Sequence, residues 1–68
     1  MVHIGKKIEE VFYEQGRSPS WLAKKLYCDR TNIYNIFRRE SIDTALLAKI
    51  SILLNHDFFM YYQQELYK

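Results

Sequence analysis

Arg30, Thr31, Asn32, Tyr34 and Asn35 place five hydrogen-bonding side chains within six positions, and Arg38 and Arg39 follow directly after one apolar pair. A guanidinium offers a planar fork of donors, a carboxamide carries donors beside an acceptor, and hydroxyls serve as both. Such groups suit recognition of polar edges and anionic oxygens rather than bond making. The chemistry of catalysis is not offered elsewhere. His3 and His56 stand near opposite ends of the chain and Cys28 is the single cysteine, so there is neither a zinc-ligand spacing nor a base set beside a nucleophile. No metal, cofactor or small-molecule substrate is expected, and the chain reads as a non-enzyme.

Charge is concentrated in the same region. From Arg17 to Arg39 the cations Arg17, Lys24, Lys25, Arg30, Arg38 and Arg39 face only Asp29, a local net of +5, whereas the whole chain carries +2. The remainder, rich in Glu9, Glu10, Glu14, Glu40, Asp43, Asp57 and Glu65, is therefore acidic. One basic face backed by an acidic body is how a polyanion-binding domain confines contact to one surface.

The elements that must present these side chains are helices. Sixty-eight residues allow a single small domain, and two Gly with one Pro are too few breakers for a sandwich or barrel. The expected fold is all-α. A single cysteine fits a reducing compartment such as the cytoplasm, and no apolar run approaches the roughly 20 residues of a membrane span or forms a signal segment. The chain is expected to be soluble and not exported.

Periodicity and punctuation predict five short helices. Ile4, Ile8, Val11 and Phe12 share one face of a first helix that stops at Gly16. Ser18-Pro19 starts a second, with Leu22, Ala23 and Leu26 inward, Trp21 at its beginning, Lys24 and Lys25 outward, and an end near Leu26 or Tyr27. Asp29 caps a third that runs to about Arg38 on an Ile33, Ile36, Phe37 stripe. Ser41 or Asp43 caps a fourth, whose Leu46, Leu47, Ile50, Leu53 and Leu54 form the clearest amphipathic pattern, and Asn55 closes it.

Asp57 then caps a final segment, Phe58 to Tyr67, in which Phe58 or Phe59 with Tyr62 and Leu66 dock on the core. Met60, Tyr61 and Tyr67 are left outside as a candidate surface for homodimer formation. Cys28 reads as a small buried hydrophobe, and Trp21 and Phe37 as packing residues rather than stacking platforms.

The second and third helices are separated by only a few residues, and a helix-turn-helix needs a small residue where its two helices cross. Ala23 supplies it, with Leu22, Leu26, Cys28, Ile33 and Ile36 around it and Arg30, Thr31, Tyr34, Asn35 and Arg38 facing out. Over nearly its whole length the sequence resembles the lambda-repressor and Cro-like helix-turn-helix domains of the Xre family. Ser18-Pro-Ser-Trp-Leu-Ala23 is similar to the start of that family's second helix. Leu26-Tyr-Cys-Asp-Arg-Thr-Asn-Ile33-Tyr-Asn-Ile36 resembles its turn and recognition helix, and Leu46-Leu-Ala-Lys-Ile50 with Leu53-Leu-Asn-His-Asp57 its fourth helix and exit.

The resemblance implies a compact five-helix bundle that binds double-stranded DNA as a transcriptional regulator of repressor type, usually as a homodimer and without cofactor. On that reading Arg30, Thr31, Asn32, Tyr34 and Asn35 probe base edges, with Arg30 suited to guanine and Asn35 to adenine. Ser18, Ser20, Lys24, Lys25, Arg38 and Arg39 would hold phosphates. Three positions depart from the family: Tyr27 stands at the usual turn glycine, Pro19 at a frequent glutamine, and Phe37 at a common acidic residue. A left-handed tyrosine costs about 1 to 2 kcal/mol, so either the turn differs or contacts of the ring compensate. The alternative function is a protein-interaction module on the same scaffold, an antitoxin or anti-repressor component gripping another protein through its aromatic C-terminal helix.

Overall fold

Side chains that can accept a hydrogen bond from free amides stand where the chain turns into helix. A computed structural model describes residues 1–67, and among them are five helices and no strand: α1 (Ile4–Glu14), α2 (Pro19–Lys25), α3 (Arg30–Arg38), α4 (Thr44–Leu54) and α5 (Met60–Leu66). Ser18 Oγ accepts from the Trp21 amide at 3.2 Å, with Pro19 in the first helical turn. Asp43 rather than Ser41 caps α4, its carboxylate accepting from Leu46 at 2.8 Å. Asp29 occupies the cap position of α3, but its side chain makes no capping bond. The cap of α1 is His3, whose Nδ1 accepts from the Lys6 amide at 3.1 Å. Histidine is not among the usual cap residues, so the sequence alone does not mark this cap.

Three helices, α1, α2 and α4, end in the same way, whereas α3 runs into an extended Arg39. After α1 the amides of Gly16 and Arg17 bond back to the carbonyls of Tyr13 and Phe12; after α2 those of Tyr27 and Cys28 bond to Lys24 and Ala23; after α4 those of Asn55 and His56 bond to Ile52 and Ser51. Each is a Schellman closure, which needs one left-handed residue. Gly16, Tyr27 and Asn55 take that place, with φ of 68°, 57° and 50°. The turn at Tyr27 therefore has the form a glycine would give it. Its ring is 96% exposed, so ring packing does not compensate, and the conformational cost is met by the remaining fold.

Among the described residues, thirteen apolar ones are buried in one cluster, and no polar or charged residue is. α1 contributes Ile4, Ile8, Val11 and Phe12, α2 Leu22 and Ala23, α3 Ile33, Ile36 and Phe37, and α4 Leu47, Ile50 and Leu54. Each large member stabilises the fold by roughly 1.5 to 3 kcal/mol. α3 packs against both α1 and α2. Its far end is pinned by α1: the amides of Ile4 and Gly5 donate to the carbonyls of Glu40 and Arg39, both at 3.0 Å. A Cβ on Gly5 would lie 2.5 to 2.6 Å from the carbonyl oxygens of Ile36, Phe37 and Arg39, so only glycine lets the backbones approach. At the other end of α1, Gln15 Nε2 donates to the Leu54 carbonyl at 2.6 Å and ties α1 to α4.

Several expectations are corrected. α4 is less cleanly amphipathic than its leucines suggest: Leu46 and Leu53 are only half-buried, and Ile52 faces solvent. Cys28 is half-buried rather than fully enclosed. The last helix begins at Met60, not Phe58; Asp57 accepts from the Phe59 amide at 3.0 Å and shapes a turn ahead of it. Phe58 is the single deep anchor, Tyr61 and Tyr62 lean on the core, and Leu66 stays exposed. With no buried residue of its own, α5 lies on the rim of a core already filled by the other helices.

Candidate nucleic-acid interface

The buried stripe of α3 decides which of its polar residues act together. At about 100° per residue, Ile33, Ile36 and Phe37 define the inner side, and Thr31, Asn35 and Arg38 lie opposite it. All three are exposed. Arg30 and Tyr34 occupy one flank, Asn32 and Arg39 the other, and these four are also exposed. The polar residues of α3 thus divide into a central line and two margins, with Arg38 on the central line beside Asn35 rather than at the periphery.

Each margin opens onto a groove. Asn32, Asn35 and Arg39 border one of about 420 Å³, closed by Leu26, Cys28 and by Leu46 of α4. Tyr34 and Arg38 border the other, about 390 Å³, with His3, Lys6 and Glu9 of the α1 side. The Tyr34 ring stands edge-on to that of Phe37, with ring centres 6.4 Å apart, and the Phe37 ring centre lies 5.3 Å from that of Phe12. A hydroxyl at the outer edge of Tyr34 is thereby carried on an aromatic stack rooted in the core.

α2 separates its two lysines. Lys24 and Lys25 are both exposed, but adjacent residues differ by about 100° in direction. Lys25 turns toward α4, lining a groove with Lys49. Ser18 is committed to capping, and Ser20 is exposed one position into α2. Arg17 also belongs to this surface, being exposed just ahead of the Ser18 cap. Its guanidinium lies over the Trp21 ring at 4.3 Å, a cation–π contact that holds a positive charge at the start of α2. The signal was present as an arginine and a tryptophan four positions apart across a cap.

Two carboxylates of α1, Glu10 and Glu14, act on Tyr61 of α5. Tyr61 donates or accepts a 2.9 Å bond with His56 Nε2 and lies under Lys7 Nζ, 5.1 Å from its ring centre. Burial pushes its phenol above the ordinary tyrosine value of 10.0, and the charges of Glu10 and Glu14 on α1 push the same way. Of the three residues assigned to a dimer surface, Tyr67 is exposed, whereas Met60 and Tyr61 are half-buried. Tyr61 thus has a place against the core that its position in the sequence did not suggest.

Among the described residues no three His, Cys, Asp or Glu side chains come together as a metal site, and no helix is long and apolar enough to cross a membrane. No protein-family model, curated protein or solved structure matches the chain.

Proposed function

We propose that the protein binds double-stranded DNA through α3, with α2 and α3 acting as a helix-turn-helix of the lambda-repressor and Cro-like kind, and regulates transcription as a cytoplasmic repressor. The observation that carries this reading is the division of α3: apolar residues fill one side, and exposed Thr31, Asn35 and Arg38, flanked by Arg30, Tyr34 and Asn32, fill the other. Burial of Ala23 and the packing of α2 against α3 support it, since a helix-turn-helix needs a small residue where its helices cross.

In this reading α3 lies in the major groove, where its N-terminal residues come nearest the bases. Arg30 pairs with guanine and Asn35 with adenine, each contributing about 1 to 3 kcal/mol of discrimination. Arg38, Arg39, Lys24, Lys25, Ser18 and Ser20 hold phosphates and set the register, and Arg17, held on Trp21, joins them. A homodimer formed through α5, using Met60, Tyr61 and Tyr67, would read half-sites about 34 Å apart.

The test is selection from random duplexes at low salt, followed by titration of the enriched sequence at rising salt. A recovered motif whose affinity falls steeply with salt supports the reading; absence of enrichment refutes it. A protein-interaction role instead of DNA binding is favoured by one feature, the exposed Leu66 and Tyr67 at the end of α5. Function lost only on substituting those two, and kept by Arg30→Ala and Asn35→Ala, would establish that role.

A further inference from the structure

Away from the chain ends, the two large apolar residues most exposed to solvent are Tyr27 and Ile52, at 96% and 78%. They belong to different elements, the α2–α3 turn and the outer side of α4, yet they line the same shallow groove of about 210 Å³. Leu26 and Leu53 complete its apolar lining, and among the described residues Lys25 and Lys49, both exposed, supply its charges. No carboxylate of the described residues lines it.

Tyr27 is also held at φ 57°, a conformation that glycine would adopt without strain. Its ring gains nothing from the core in return. A strained residue whose side chain is fully presented to solvent points to a contact made outside the chain. Ile52 supports the same conclusion independently, because nothing in the packing of α4 requires an isoleucine on its outer side.

We propose that this groove docks an acidic amphipathic segment of a partner protein, with apolar side chains against Tyr27, Ile52 and Leu53 and carboxylates against Lys25 and Lys49. Charge selects this occupant. Self-pairing of the groove about a two-fold axis would set each lysine pair against its own copy, and like charges so placed oppose association. A DNA backbone would find the lysines but leave the isoleucine and leucine without apolar partners. The proposal uses neither the outer face of α3 nor α5, and of the residues in the nucleic-acid reading it shares only Lys25.

The experiment uses the full chain and a fluorescein-labelled helical peptide with leucines on one face and glutamates beside them. Counterparts carrying glutamine or lysine in place of glutamate serve as comparisons. Saturable binding of the acidic peptide is expected by anisotropy, weaker binding of the glutamine form, and none of the lysine form. Ile52→Lys should weaken the acidic peptide by about tenfold or more, and Lys25→Glu combined with Lys49→Glu should transfer preference to the lysine peptide. Both sets of changes lie on exposed residues, and circular dichroism checks that the variants fold. Tyr27→Gly, which relieves backbone strain while deleting the ring, provides a second variant expected to lose binding while folding well.

The proposal is overturned by no binding up to millimolar peptide, by equal affinity for acidic and basic peptides, or by indifference to Ile52→Lys in a folded variant. It is equally overturned if sedimentation shows a self-association that Ile52→Lys abolishes, since the occupant is then a second copy. Loss of duplex binding in Ile52→Lys, with no peptide effect, would assign the groove to nucleic acid.

Discussion

Replacing Tyr27 by glycine should make the protein more stable although it removes a large aromatic side chain. The left-handed backbone at Tyr27 costs a non-glycine residue about 1 to 2 kcal/mol. Glycine removes that cost but adds freedom to the unfolded chain, which returns about 0.5 to 1 kcal/mol. The ring is 96% exposed, so almost no burial is forfeited, and the Schellman bonds from Tyr27 and Cys28 to Lys24 and Ala23 use backbone atoms only. A net gain of about 0.5 to 1 kcal/mol is expected, which for a domain of this size raises Tm by about 2 to 8 °C. Urea and thermal unfolding followed by circular dichroism measure it. Tyr27→Ala keeps the strained backbone while losing the ring and should leave stability within about 0.5 kcal/mol of the parent. If glycine proved no better than alanine, or if both destabilised, the account of the turn as strained and the ring as unsupported would be refuted.

Other perturbations probe the same architecture. Gly5→Ala drives a methyl into three carbonyl oxygens and should cost about 2 to 4 kcal/mol by overpacking and loss of the α1–α3 bonds; an unchanged urea midpoint would contradict the close approach. Gly16→Ala meets no atom within 4 Å, so its cost should be only the conformational one of about 1 kcal/mol, measured in the same unfolding assay. Because Tyr61 holds its proton more tightly folded than unfolded, unfolding releases protons near and above pH 10.0, and stability should fall as pH rises through that range. Comparing parent and Tyr61→Phe from pH 8 to 11, roughly the window around the tyrosine pKa, should show a shallower decline in the variant; parallel curves would contradict the assignment. On enriched duplex, Arg30→Ala should relax preference at one base pair by about 1 to 3 kcal/mol. Arg38→Ala should weaken all sequences alike and lower the salt slope by about one. The central position of Arg38 on α3 makes the second result the more demanding, since loss of base preference there would move this residue from phosphate to base contact.

The candidate interface was partly legible from residue order. The stripe Ile33, Ile36, Phe37 by itself places Thr31, Asn35 and Arg38 on the opposite side of a helix, and all three are exposed. What it could not indicate is how neighbouring helices flank them. The groove beside Asn32 and Asn35 exists because Leu46 of α4 closes it, and the one beside Tyr34 because His3, Lys6 and Glu9 come alongside. Lys24 and Lys25 look equivalent in sequence, but proximity to Lys49, Ile52 and Leu53 gives Lys25 a different setting.

Helix beginnings and ends were determined by the sequence itself wherever the deciding contacts span only a few residues. Ser18 with Pro19, Asp43, Gly16 and Asn55 all occupy the positions their backbone preferences dictate, because a cap or a left-handed closure is satisfied within one turn. The buried faces of α1 and α3 follow from helical repeat for the same local reason. Tertiary structure alone decided that Gly5 must be small, that Gln15 reaches Leu54, that Ile52 remains outside while Phe58 is enclosed, and that Tyr27 and Ile52 line one groove. Those outcomes depend on contacts between residues far apart in the chain, where the available volume is set by how whole helices stack and no single segment carries the information.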